Sequence, residues 1–317
     1  MKNLLEEKIR VSYGTAIVLG LIEARQDVAP TTAYLLWDTG CIGSCSFCPR
    51  ANGNSRTQKL SRIIWPEFSF SRIVSLLSAQ PRPFRRVCLQ TGFNPEKNET
   101  LKEFAGILSN KGLNFSVTLS PSQTKLASEL LEMGADHIGI GLDGASPDMY
   151  LTHKKKNWET DWPFLLKLIR MHPGKIEVHL IFGLGDSEEQ FCQTISEITK
   201  IGGQVSLFAL TPVNGGTAPN LSGYRRVQIF RYLNEIKSIK FEDFGFHDGK
   251  LSQIKLSFEY VLQQLDQGTC FRTSGCGDCN RPYYNERPGQ IFYNFPRPLT
   301  SEEFKEALET AEIQTSG

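Results

Sequence analysis

Short apolar runs alternate with amphipathic stretches over the first two thirds of the chain. The runs TTAYLLWD (31–38), RRVCLQTG (85–92), NFSVTLS (114–120), HIGIGLD (137–143), KIEVHLIFG (175–183) and QVSLFALTP (204–212) are rich in Val, Ile, Leu, Phe or Thr. Each has the length and composition of a strand. The stretches between them repeat apolar residues at helical spacing. SPSQTKLASELLEMGAD starts on Ser-Pro-Ser and stops near Gly134, and DSEEQFCQTISEITKIGG carries acids in its first turn and Gly202-Gly203 after its last. Repeated strand–helix units predict an α/β fold with a parallel sheet, closed as a partial or full β/α barrel.

The texture changes near residue 213. PVNGGTAPNLSG reads as a long loop. RRVQIFRYLNEIKS and LSQIKLSFEYVLQQLDQ read as helices, and residues 268–298 as an irregular lobe held by a metal centre. SEEFKEALETAE reads as a capped helix before a frayed tail. The expected division is a helical extension over 1–30, a barrel over 31–265, and a lobe with a final helix over 266–317.

Composition narrows the function. The 317 residues carry 35 Lys and Arg against 34 Asp and Glu, a balance without the bulk positive charge of a nucleic-acid binder. Forty per cent hydrophobic residues exclude a disordered chain. No apolar run is long enough to span a bilayer, and the acidic start MKNLLEEKIR does not resemble a signal peptide. The expectation is a soluble, cytoplasmic protein with no nucleic-acid or membrane partner. Of eight cysteines, six fall into two tight triplets, which suggests metal or iron–sulfur ligation over disulfides.

Cys41, Cys45 and Cys48 follow the first strand with the spacing C-x3-C-x2-C, at the barrel face where active sites lie. Three thiolates can hold three irons of a four-iron cluster and leave the fourth open. Gly40, Gly43 and Ser44 let the loop wrap closely. A zinc knuckle lacking a fourth ligand, or three unrelated thiols, are the alternatives. The triplet, with the aromatic Phe47 before its last cysteine, resembles the signature of the radical S-adenosylmethionine (SAM) superfamily over about residues 31–212. That resemblance implies a SAM-binding 4Fe–4S cluster and a 5′-deoxyadenosyl radical.

Two further stretches resemble the biotin synthase branch. GLDGASPDMY (141–150) matches a fourth-strand motif and implies that Asp143 contacts the cofactor ribose; a turn or helix-cap aspartate is the alternative. GLGDSEEQ (183–190) matches a fifth-strand glycine motif in which the backbone at Gly183 passes close to adenosine, against an ordinary strand-to-helix loop capped by Asp186. Thr91-Gly92-Phe93 stands where the family has Gly-Gly-Glu. The missing acid leaves Thr91, Gly92 and backbone carbonyls to meet the methionine amino group.

Cys270, Cys276 and Cys279 form the second triplet, C-x5-C-x2-C. Structural zinc is one reading; an auxiliary iron–sulfur cluster, a second 4Fe–4S centre, is the preferred one. Arg272-Thr273-Ser274 resembles a stretch of lipoyl synthases whose serine ligates a sulfur-donating cluster, which makes Ser274 the candidate fourth ligand. Lipoyl synthases carry these cysteines before the radical triplet. The order here, with RTSGCGDCNRPYYNERPG, resembles the two-component lipoyl synthases of archaea and some bacteria. Cys88 resembles a biotin synthase ligand position, though a buried core thiol is the preferred reading, and the matching third- and fifth-strand cysteines are absent. Cys192 reads as structural.

Lys154, Lys155 and Lys156 read as a solvated loop, with contact to a methionine carboxylate or an acidic carrier as the alternative. Phe208 and the loop 211–216 could wall an acyl chain or belong to the core. Tyr283, Tyr284, Phe292, Tyr293 and Phe295 are expected to pack the lobe on the barrel. The expected function is a radical SAM sulfurtransferase acting on an octanoylated carrier protein or peptide. A second radical SAM lipoyl synthase component and a ferredoxin or flavodoxin are the expected partners. A radical enzyme with a permanent auxiliary cluster, or a non-catalytic iron–sulfur or zinc protein, are the alternatives.

Overall fold

The computed structural model describes residues 4–38, 40–53, 57–212, 217–286 and 289–316. Positions 213–216 of the long loop lie outside the described residues. The strands are β1 (Lys8–Val11), β2 (Thr32–Trp37), β3 (Lys59–Leu60), β4 (Ile63–Ile64), β5 (Glu67–Ser69), β6 (Arg86–Thr91), β7 (Phe115–Leu119), β8 (His137–Asp143), β9 (Ile176–Phe182), β10 (Gln204–Ala209), β11 (Phe244–His247), β12 (Lys250–Ser257) and β13 (Gln314–Ser316). The main sheet runs β10-β9-β8-β7-β6-β2-β1-β5. Its six strands from β2 to β10 are mutually parallel, while β1 is antiparallel to both neighbours. Helices Phe70–Ser78, Asn98–Asn110, Thr124–Glu132, Trp158–Met171 and Glu188–Lys200 supply the crossovers. The six expected strands are those observed, to within a residue or two at most ends. No helix among the described residues is long and apolar enough to cross a membrane.

Alternation along these strands decides what each face does. Side chains point to opposite faces with period two. In β6, Val87 and Leu89 join the main hydrophobic core, as do Val117 of β7, Ile138 and Ile140 of β8, and Val178 and Leu180 of β9. Phe104, Leu130, Leu165, Phe191 and Ile195 cover them from the crossover helices. Full burial of such a side chain contributes about 1.5–3 kcal/mol. The outer face therefore supplies the stability. The inner face is polar instead: Arg86, Cys88 and Gln90 of β6, Ser116 and Thr118 of β7, Glu177 and His179 of β9 all line interior cavities.

Helix ends follow local chemistry. Ser187 and Gln190 form a reciprocal capping box on the helix Glu188–Lys200, and Thr300 with Glu303 does the same for Ser301–Ala311. Cys192 is fully buried in the core, as expected.

Three segments depart from the sequence reading. The N-terminal segment expected to be helical contributes β1, whose Ile9 and Val11 are buried between β2 and β5. Residues 250–257 form β12, paired with β11, and only Phe258–Gln264 continue as helix. The tail expected to fray adds β13 to β12. Pairing partners distant in sequence override local periodicity in each case.

The C-terminal segment crosses the polar inner face. Ser274 Oγ accepts a bond from Leu207 N of β10 (2.8 Å), and Asn285 Nδ2 donates to Ala209 O (2.5 Å). At the other side Thr31 N donates to Asn280 Oδ1 (3.0 Å) and Thr32 Oγ1 to Asp278 O (2.9 Å). Tyr284 packs on Tyr34 and Trp65, at ring separations of 5.4 and 6.1 Å. Tyr293 packs edge-on against Tyr224. Tyr284 and Tyr293 thus dock the lobe, while Tyr283, Phe292 and Phe295 pack on one another within it. Hydrogen bonds add to this: Gln228 Nε2 donates to Tyr293 O (2.9 Å), and within the lobe Glu286 Oε1 accepts from Tyr293 N (2.6 Å).

Candidate active site

The upper cavity, about 280 Å³, opens at the C-terminal ends of the parallel strands. Cys41, Cys45 and Cys48 line it together, with Phe47, Thr91, Gly92 and Asp143. The cysteine loop leaves β2 through Gly40 at φ +66°. Gly43 N donates to Cys41 Sγ (3.4 Å), and Ile42 N donates to Phe93 O (2.9 Å), tying the loop to the end of β6. Ser46 N donates to His153 O (2.9 Å), tying it also to the segment after β8. Burial pushes the Cys48 thiol up to about 11, and its two sister thiols push the same way. The three are therefore close neighbours around one space.

Asp143 ends β8 in the left-handed region, φ +69°, where the β8–β9 register shifts. Its Oδ2 accepts from Lys154 Nζ (2.5 Å), which also donates to Gly141 O (2.7 Å). Lys154 is buried, and Lys156 donates to Ser120 Oγ (2.7 Å) and lies 4.1 Å over the Phe93 ring. Only Lys155 of the run is exposed, so the solvated-loop reading is corrected for its two neighbours. Thr91 Oγ1 donates to Thr118 O (2.7 Å), so its hydroxyl proton is already engaged. Gly183 is not among the residues lining the cavity. Its φ of +108° and the Pro219 ring, 2.7 Å from where a Cβ would stand, explain the glycine by packing. Asp186 Oδ2 accepts from Ala145 N (3.2 Å), which fits the loop-capping alternative.

A second, smaller chamber lies beneath. It encloses about 30 Å³ and is lined by Cys88, Cys276, Cys279, Arg86, Glu177 and Arg281, among others. Gln90, Thr118, His179 and Phe208 line both cavities and form the layer between them. Cys88 precedes Gln90 by two residues and Glu177 precedes His179 by two, so the chamber sits about 6.6 Å further down the strands. Cys276 Sγ and its backbone N both donate to Glu177 Oε2, at 2.5 and 2.6 Å. Tyr34 Oη is 3.5 Å from Cys279 Sγ. Burial pushes the Cys88 thiol up to about 12, and Cys279 adds to it. Burial also favours the charged-free form of Glu177, but His179, Cys276 and Ser206 outweigh it and hold the carboxyl well below its ordinary range.

Two expected ligands are elsewhere. Cys270 is fully buried in the outer hydrophobic core, beside Phe271 and near Arg225 and Arg231. Ser274 spends its oxygen on Leu207 N and lines neither cavity. The helical turns of Asp266–Phe271 turn Cys270 away from the bend that carries Cys276 and Cys279. Cys88, expected as a buried core thiol, packs beside Tyr34 and Tyr284 and also lines the chamber with Cys276 and Cys279. Sequence reasoning missed Glu177, His179 and Arg281. The first two had a signal, polar residues two apart inside an otherwise apolar strand; Arg281 had none. Among the described residues, no three His, Cys, Asp or Glu side chains close on a single-ion site.

No curated protein matches the sequence. Among solved structures, the FeFe-hydrogenase maturase HydG matches with a TM-score of 0.51 at 11% identity, over 64% of this chain and 50% of that one. Methylornithine synthase matches at 0.46 and 16%, over 64% and 61%. A radical SAM methyltransferase from Sphaerobacter thermophilus matches at 0.45 and 17%, over 67% and 66%. The chain thus spans from half to two thirds of these proteins, and the likeness is one of fold. The family model described as the radical SAM superfamily covers residues 38–198, from the residue before the cysteine loop to the helix after β9. The chain belongs to the radical SAM superfamily.

Proposed function

We propose that this radical SAM enzyme inserts sulfur into the octanoyl chain of a lipoyl-carrier protein or peptide, drawing the sulfur from a second iron–sulfur cluster. The observation that carries the reading is the thiol-lined chamber stacked under the upper cavity with one layer of side chains between. A substrate carbon lodged at that layer lies within reach of both levels, and proximity of this kind is worth many orders of magnitude in rate. The choice of an octanoyl chain rests on the likeness of residues 272–289 to two-component lipoyl synthases. It is supported by the apolar side chains of Leu60, Ile181, Phe208 and Leu210 in the upper wall.

Superfamily membership implies a 4Fe–4S cluster and SAM, and the residues of the upper cavity fit them. Three thiols share one loop, the Gly43 N–H already points at Cys41 Sγ, and no fourth protein thiol lines that cavity among the described residues. When bound, the cluster and SAM would supply, at the cost of one electron and with release of methionine, a 5′-deoxyadenosyl radical able to take a hydrogen atom from the chain, and the second cluster would supply the sulfide to bond that carbon, its iron accepting the electron released. Cys41, Cys45 and Cys48 would hold the upper cluster. Asp143 would accept from ribose hydroxyls, and Lys154 Nζ beside it would meet the SAM carboxylate. Phe208 and its neighbours exclude water from the reacting carbon. A ferredoxin or flavodoxin supplies electrons, and a second radical SAM protein performs the other insertion.

The test is anaerobic. The protein is reconstituted with iron and heavy-isotope sulfide, then mixed with SAM, reductant, the partner protein and octanoyl-lysyl peptide. Mass spectrometry should find the heavy sulfur in the peptide. Deoxyadenosine without any thiolated peptide would overturn the reading.

A further inference from the structure

We infer that Cys88, Cys276 and Cys279 hold the second cluster inside the barrel, and that Cys270 takes no part. This deepens the reading above, on which it rests for the existence of a second cluster. Three observations place it. First, the three thiols come from β6 and from the crossing segment yet line one chamber. Cys270 sits in a different apolar layer, on the far side of β10's hydrogen bonds to Ser274.

Second, two buried arginines, Arg86 and Arg281, line the chamber together with the Glu177 carboxylate. Arg281 is only 8% exposed, and among the described residues no ion pair to a carboxylate engages it. Its guanidinium lies 3.8 Å from the Phe208 ring centre and donates to Ser274 O (2.7 Å). Arg86 Nη1 donates to Gly277 O (2.9 Å) between the two thiols of the crossing segment. Arg86 also pairs with Asp136 (2.6 Å) and Glu177 lies on the same wall, so thiolate ligands carrying a cluster would add to the negative charge these two cations face. Ser116, on the same wall, is buried beside the Cys88 thiol.

Third, the surrounding glycines keep the approach close. A Cβ on Gly275 would stand 2.7 Å from Glu177 Oε1, and one on Gly139 would stand 2.7 Å from His179 Nε2. The chamber is small, and Cys276 is bonded to Glu177 within it. A cluster there would require the segment 276–279, which carries two of the three thiols, to withdraw from Glu177.

The test uses the full chain with Cys41, Cys45 and Cys48 all replaced by Ala, so that only the second cluster can form. After anaerobic reconstitution, iron and sulfide are counted per chain and the Mössbauer spectrum recorded. About two to four irons per chain are expected in this parent and in the added Cys270→Ala variant. Cys88→Ala and Cys279→Ala should each lose them. Melting of the metal-free variants checks folding, and either of the last two suffices if the other fails to fold. Iron retained without Cys88, iron lost without Cys270, zinc in place of iron, or no iron in the parent would each overturn the inference. The readout is iron, not thiolated product, so a failure here is distinguishable from a failure of sulfur insertion.

Discussion

The two cavities share one barrel but assemble their thiols in opposite ways. The upper one takes Cys41, Cys45 and Cys48 from a single loop after β2. The lower one takes Cys88 from β6 and Cys276 and Cys279 from the crossing segment. The upper site can form once a local loop closes. The lower site exists only when the C-terminal segment has docked across β10 and β2. The first takes no thiol from the C-terminal lobe, although Tyr284 and Asn285 of the lobe line its cavity, while the second takes two of its three thiols from it.

Substitutions can break that comparison, beginning with the largest effect. Cys45→Ala should reduce deoxyadenosine formation to background while leaving the iron of the lower chamber in place. Loss of both irons would mean that the sites do not assemble independently. Asp143→Ala leaves the buried Lys154 without its carboxylate and should cost about 3–5 kcal/mol in urea denaturation. Adding Lys154→Met should restore part of that stability; no loss in the single variant would mean that solvent screens the pair. Gly275→Ala forces a side chain into φ +129° against Glu177 and should cost about 1–3 kcal/mol. It should also lower the iron of the lower chamber while SAM cleavage persists, and equal damage to both would contradict the stated independence.

The smallest effect lies outside both cavities. Arg297 donates to both oxygens of Glu303, at 2.7 Å each, and these bonds hold the carboxyl below its ordinary value. The stabilisation is therefore present above the ordinary glutamate pKa and is lost as pH falls through the depressed one. Both side chains are partly exposed, so Glu303→Gln should cost about 0.5 kcal/mol or less at neutral pH. The difference from the unaltered protein should vanish on acidification, and neither iron site should change. A difference that grows in acid would reverse the sign of this account.

What was legible in the sequence follows from the same contrast. The parallel strands and the first triplet are local patterns, and both stand where expected. In the second triplet, spacing misled. Cys270 ends a tight helical turn that directs it outward with Phe271, and Ser274 caps a sheet edge that no sequence pattern displays. Cys88 alternates with Val87 and Leu89, so its inward direction was readable, but its partners nearly two hundred residues later were not. Lys154 looked solvated because a basic run on a loop usually is; the end of β8 draws it inward through Asp143 and Gly141 O.

The central claim is that the lower chamber holds the group that is consumed. The most direct measurement is the Mössbauer spectrum of the full chain, labelled in both centres, before and after one turnover with SAM, reductant, the partner protein and octanoyl-lysyl peptide. The account predicts that the signal absent from the Cys88→Ala variant declines in step with thiolated peptide, while the Cys41–Cys48 signal persists. Both signals unchanged while deoxyadenosine accumulates would contradict it.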